Sequence, residues 1–214
     1  MRYKYIFFDL DGTLTDSKEG IIKSAKYALE SFGIIENDER RLMRFLGPPL
    51  LVSFSTFYGF DEEKSRAAVA KYRERFSTVG IFENGAFDGI YELLQALTDS
   101  GHILVVATSK PKVYADRILA KYRLRPYFKL VSGAELDGTR DNKNEVIDYA
   151  IEKLGCDRSD VLMVGDRKHD ILGAKQCGVA SCAVRYGYAA EGELEECKPD
   201  YIADSIDALY KILI

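Results

Sequence analysis

Asp9 and Asp11 stand one residue apart at the end of an apolar run, in Phe7-Phe8-Asp9-Leu10-Asp11-Gly12-Thr13. Residues 5–8 read as a buried strand. In an extended chain, positions i and i+2 project to the same side, so both carboxylates point together beyond the strand's end. Two like charges about 4 Å apart repel by about 4 kcal/mol at an effective dielectric of about 20. A bound cation is the simplest offset. Gly12 then lets the backbone turn without a Cβ clash.

Three more groups fall at the ends of apolar runs, the edge of an open α/β sheet where ligands bind. Thr108-Ser109-Lys110-Pro111 follows residues 103–107. Pro111 suits the first position of a helix, which would turn the preceding hydroxyls and amides toward an anion. Alternatively, Thr108 and Ser109 only cap that helix. Asn142 and Glu145 have capping-box spacing, which puts Lys143 in the first helical turn. A cation there opposes the helix dipole by about 0.3–1 kcal/mol, which suggests that the ammonium has a use; the alternative is an ordinary solvated lysine. Gly165-Asp166-Arg167-Lys168-His169-Asp170 again sets an acid at a strand end, with a second one turn on if a helix begins there. The alternative, for this segment read alone, is a turn and an N-cap. His169 is expected to face outward from a loop.

Together, Asp9, Asp11, Asp166 and Asp170 bring more negative charge to one rim than Lys143 can balance, before a phosphate adds its own. Mg2+ tolerates one or two carboxylates with several waters and fits such a rim. The reaction that uses paired acids, a metal, a lysine and hydroxyl donors is phosphoryl transfer through an aspartyl-phosphate. One acid attacks phosphorus while Mg2+, Lys143 and Thr108 stabilise the phosphoryl oxygens. The other protonates the leaving oxygen and then activates water, which requires a higher pKa than its metal-bound neighbour.

These residues need a scaffold. Residues 5–8, 103–107, 129–131, 161–164 and 181–184 read as strands, with 201–203 a further candidate. Most are continuously apolar, as when both faces of a parallel sheet are covered. Ile90, Leu93, Leu94 and Leu97, and then Val146, Ile147, Ala150, Ile151 and Leu154, have helical spacing between them. The expected fold is a three-layer α/β, Rossmann-like parallel sheet with right-handed crossovers. Residues 16–83 break the rhythm. Ile21, Ile22, Ala25 and Leu29 suggest one helix, and Asp61 caps another that carries Ala68, Tyr72 and Phe76. The expected division is a core of residues 1–15 and 84–214 with an inserted α-helical cap over 16–83, either decorative or a lid hinged at 13–17 and 81–86.

The chain has 214 residues, 47% hydrophobic and 30% charged, with a net charge of −4. That supports one sizeable core plus an appended unit. No basic excess favours a nucleic acid polymer. No apolar stretch approaches a membrane span of about 20 residues, and the first strand is no signal peptide. Cys156, Cys177, Cys182 and Cys197 form no close pair and read as reduced thiols, hence a cytoplasmic protein. Two histidines exclude a histidine-rich zinc site.

In order, Asp9-Leu10-Asp11-Gly12-Thr13, Thr108, Lys143 and Gly165-Asp166…Asp170 resemble the four motifs of the haloacid dehalogenase superfamily. The resemblance spans essentially the whole chain. It implies Asp9 as nucleophile, Asp11 as general acid/base, and Thr108 and Lys143, with Ser109 beside them, on the phosphoryl group. It also implies Mg2+ held by Asp9, the Asp11 carbonyl and Asp166, with Asp170 nearby. Asp11 separates phosphatases and phosphomutases from the metal-independent dehalogenases. Gly47-Pro48-Pro49-Leu50 is similar to a phosphoglycolate phosphatase or 5′-nucleotidase branch, whereas Asn144 stands where a proline commonly follows the lysine. The implied activity is hydrolysis of a small phosphorylated metabolite, phosphoglycolate or a nucleoside 5′-monophosphate. A phosphomutase acting on a sugar phosphate and a non-catalytic phosphometabolite-binding protein are the alternatives. In the cap, Arg44, Lys71, Arg73 and Arg75 are either anion ligands or solvated helix charges.

Overall fold

The computed structural model describes residues 2–214, which form two compact units. One runs to Thr15 and resumes over Ala86–Ile214; the other is Asp16–Gly85. The strands are β1 (Tyr5–Phe8), β2 (Thr15–Asp16), β3 (Gly85–Ala86), β4 (Ile103–Pro111), β5 (Phe128–Ala134), β6 (Val161–Gly165), β7 (Ala180–Val184) and β8 (Tyr201–Ala203). The helices are α1 (Lys18–Glu30), α2 (Glu39–Met43), α3 (Leu50–Tyr58), α4 (Glu62–Phe76), α5 (Ile90–Asp99), α6 (Lys112–Lys121), α7 (Lys143–Leu154), α8 (Lys168–Gln176), α9 (Glu193–Glu196) and α10 (Ile206–Leu213). Among the described residues, no helix is long and apolar enough to cross a membrane.

Six strands form one parallel sheet, ordered β5-β4-β1-β6-β7-β8, while β2 and β3 pair with each other. The order reverses at β1, which opens a crevice at the carboxyl ends of β1, β4 and β6. Phe8 lies opposite both Val106 and Val164, so β1 and β6 end nearly level while β4 runs on beside them to Pro111. Helices flank the sheet in a three-layer Rossmann-like α/β fold. On one face Val146, Ile147, Ala150 and Ile151 of α7 are buried with Phe7, Val105 and Met163. Each such side chain contributes about 1.5–3 kcal/mol on burial. This packing fixes the height at which α7 presents its first residue, Lys143.

Two local expectations need correction. Pro111 does not open a helix; β4 continues through it, and α6 begins at Lys112. A register shift between Thr108 and Pro111 lets β4 stay paired with β5, where Gly133 makes room: a Cβ there would lie 2.8 Å from the Lys110 carbonyl oxygen. His169 is not on an outward-facing loop. It sits in the first turn of α8, half-buried.

The helical unit has its own core. Asp61 caps α4 by accepting from the Lys64 amide at 2.8 Å, and Ala68, Val69, Tyr72 and Phe76 line the buried face. Phe54 stacks on Phe60 and meets Phe45 edge-on. Gly20 of α1 approaches the 3-10 turn Gly80–Phe82 so closely that a Cβ would lie 1.9 Å from the Gly80 carbonyl oxygen. Arg75 holds Glu83 by two bonds, at 2.7 and 3.0 Å.

Candidate active site

Four segments of the sheet-bearing unit converge at the carboxyl ends of its central strands. Asp9 follows β1, its amide bonded to the Val164 carbonyl of β6 at 2.9 Å. The chain then folds into a tight turn in which Leu14 and Thr15 both donate to the Leu10 carbonyl at 3.0 Å. Gly12 takes φ +80° there, and a Cβ on it would fall 2.2 Å from Asp166 Oδ2. Thr13 faces the same acid and donates from Oγ1 to Asp166 Oδ1 at 3.1 Å.

Lys143 is the hub. Its position at the start of α7 follows from the cap: Glu145 accepts from the Asn142 amide at 2.9 Å. The buried ammonium lies 2.8 Å from Asp9 Oδ1 and 2.8 Å from Asp170 Oδ1, and donates to the Ala107 carbonyl at 3.1 Å. Gly173 of α8 permits this approach, since a Cβ there would lie 2.8 Å from Lys143 Cβ. Burial works against the ammonium's charge, but Asp170 and Asp9 outweigh it and hold its pKa above the ordinary lysine value.

Asp166 and Asp170 are both buried. Asp170 Oδ2 accepts from the Arg167 amide at 2.9 Å, and its carboxyl packs on Gly165, where a Cβ would lie 2.2 Å from Asp170 Cγ. Asp166 Oδ2 accepts from the Tyr188 amide at 2.7 Å, and Gly187 lies against the same side chain. Burial raises the pKa of Asp166 well above the carboxylate range, with Asp170 and Asp9 adding repulsion. Burial also pushes Asp170 up to about 6, with Lys143 pulling the other way.

Asp9, Asp166 and Asp170 each offer a carboxylate oxygen, all within 4.8 Å of one another. The Lys143 contacts of Asp9 Oδ1 and Asp170 Oδ1 are ion pairs rather than well-formed hydrogen bonds, and Asp11 Oδ1 is likewise buried without a hydrogen-bond partner. Buried carboxylate oxygens gathered without hydrogen-bond donors mark a place short of positive charge. Hard oxygen donors in that arrangement fit Mg2+.

The sequence-derived candidates separate into two sub-sites. Asp9, Asp166, Asp170 and Lys143 meet directly. The Asp11 carboxylate is outside the triad and is held by Lys110, whose Nζ lies 2.5 Å from Asp11 Oδ2. Thr108 is buried on the tail of β4, its Oγ1 accepting from the Lys110 amide at 3.2 Å, with Ser109 half-buried beside it. Lys110 has no assigned role in the sequence reading. The available signal was its spacing: two residues beyond Thr108 on an extended chain, it shares that residue's side. Gly165, Gly173 and Gly187 carried no such signal, because each is required by a side chain brought close only by folding.

In the helical unit, Lys71 pairs with Glu74 at 2.9 Å and Arg75 with Glu83, while Arg44 lies over the Phe57 ring. Gly47, at φ +111°, starts the bend that leads through Pro49 into α3.

A family model described as haloacid dehalogenase-like hydrolase matches residues 6–184. The chain is 48% identical to a 5′-nucleotidase of Pseudomonas aeruginosa, covering 100% of its own length and 96% of the relative's. It is 36% identical to the tyrosine-protein kinase PtkA of Mycobacterium tuberculosis, over 97% of its length and 72% of that protein's. The crystal structure of a predicted phosphatase from Clostridium acetobutylicum matches with a TM-score of 0.96 and 46% identity, covering 100% of this chain and 99% of the other.

Proposed function

Because the chain belongs to the haloacid dehalogenase-like hydrolase family, we propose that it hydrolyses a small phosphomonoester with Mg2+ through a phosphoryl group carried on Asp9. Phosphoric monoester hydrolysis on small phosphate compounds is its reaction class. A nucleoside 5′-monophosphate is the substrate class to test first, ahead of phosphoglycolate, given the name of the relative at 48% identity. The observation that carries the mechanism is the Asp9 carboxylate, tethered through Oδ1 to Lys143 at 2.8 Å beside two buried acids.

Asp9, Asp166 and the Asp11 backbone carbonyl would hold Mg2+, with Asp170 near. Both Asp170 oxygens already serve Lys143 and the Arg167 amide, so this residue chiefly anchors the lysine. Bound Mg2+ supplies Lewis-acid neutralisation of the phosphoryl oxygens. Lys143 orients Asp9, and the oxygen of Asp9 turned away from the ammonium attacks phosphorus. As the ester P–O bond breaks, Asp11 gives a proton to the leaving oxygen. Asp11 then takes a proton from water as that water attacks the aspartyl-phosphate, which releases phosphate and restores the Asp9 carboxylate. Thr108, Ser109 and Lys143 bind the phosphoryl oxygens, acting as fixed dipoles and charge. Lys110 keeps Asp11 in place between the two steps.

Residues 16–83 act in this proposal as a cap on the core of residues 1–15 and 84–214. The four cysteines, all unpaired, support a cytoplasmic location. The test is a panel of nucleoside monophosphates, phosphoglycolate and sugar phosphates with Mg2+, read as released phosphate. Turnover on a nucleoside monophosphate is expected, lost to background in a folded Asp9→Asn variant. Isomerised sugar phosphate without free phosphate would identify a phosphomutase instead.

A further inference from the structure

Glu193 opens the short helix α9, remote in sequence from the four acids, yet its half-buried carboxylate accepts four hydrogen bonds. Arg167 Nε donates to Oε1 at 2.8 Å and Arg167 Nη2 to Oε2 at 3.2 Å. The Lys168 amide donates to Oε1 at 2.9 Å, and the Ala190 amide to Oε2 at 3.2 Å. These donors lie on two different segments. Arg167 and Lys168 belong to the turn between Asp166 and Asp170, while Ala190 belongs to the loop that brings Gly187 and the Tyr188 amide against Asp166.

We propose that Glu193 is a positioning residue for the metal site: it ties the Asp166–Asp170 turn to the 185–192 loop and so fixes the spacing of the acids. The inference rests on the Mg2+ reading above. Two physical effects act in the same direction. The Arg167 amide carries Asp170 Oδ2, so a guanidinium held by Glu193 holds that amide's residue in register. Arg167 and Lys168 also bring two cationic side chains to the turn between Asp166 and Asp170, and Glu193 pairs with Arg167 at 2.8 Å. Outer partners that orient ligating side chains typically alter metal affinity by about 10–100-fold when removed.

The test uses the full chain and Mg2+ alone, with the melting temperature followed as a function of Mg2+ concentration. Glu193→Gln keeps the shape but loses the charge and one acceptor oxygen, and Arg167→Gln removes the partner while leaving the backbone amide. Wild type should be stabilised by Mg2+, and both variants should need at least about tenfold more Mg2+ for the same stabilisation. Melting in excess chelator reports any purely structural loss separately. Equal Mg2+ affinity in wild type and both variants would overturn the positioning role while leaving the metal reading intact. A wild type that Mg2+ does not stabilise would overturn the metal reading, and this inference with it.

Discussion

At the scale of single residues, glycine decides how closely the acids can pack. Gly12 combines φ +80° with an approach that would put a Cβ 2.2 Å from Asp166 Oδ2, so a side chain there strains the backbone and displaces the Asp166 carboxylate. Gly12→Ala is expected to cost about 1–3 kcal/mol in stability and to lower phosphate release more than tenfold, since Asp166 must move. Thermal melts and initial rates check both; a variant with wild-type rates would show that the position of Asp166 is immaterial. Lys110 makes a different kind of contribution. If it holds Asp11 for proton donation, Lys110→Met should slow hydrolysis of alkyl phosphates much more than that of p-nitrophenyl phosphate, whose leaving group needs no proton. Equal losses on both substrates would instead make Lys110 a general anion-binding group.

At the scale of elements, what was legible in the sequence was what local chemistry determines. The strand before Asp9 and the α4 cap at Asp61 follow from periodicity and side-chain type, and both are found. The Glu145 half of the box before Lys143 is also found. The end of β4 was misplaced because its length depends on pairing with β5 across Gly133, a contact distant in sequence. His169 was read as a loop residue, whereas it lies in the first turn of α8 and is half-buried by tertiary packing that has no local signal. Glu83 provides a test at this scale within the helical unit. The hydrogen bonds from Arg75 lower its pKa most, against burial, with Lys23 helping. A carboxylate whose folded pKa is depressed contributes stability that is complete above the unfolded value of about 4.3 and is lost as pH falls through the folded value. Acid unfolding of wild type should therefore steepen below about pH 4.3, and Glu83→Gln should flatten that limb of the curve. Superimposable pH profiles would mean that the Arg75 pairing adds nothing to stability.

At the scale of the whole molecule, the sheet order brings the ends of β1, β4 and β6 together, and with them residues from positions 9 to 188. The four motifs were visible as separate segments, but their convergence depends on parallel register, in which Phe8 faces Val106 and Val164. Which acid pairs with which cation is a product of that convergence and has no local signature. The central claim is that this convergence makes Asp9 a phosphoryl acceptor. Its most direct measurement is rapid quenching of the enzyme during turnover with borohydride, followed by peptide mass spectrometry. The account predicts reduction of the acyl phosphate to homoserine at position 9, present with substrate and Mg2+ and absent when the metal is chelated. Unmodified Asp9 during active turnover, or a modification at another residue, would contradict it.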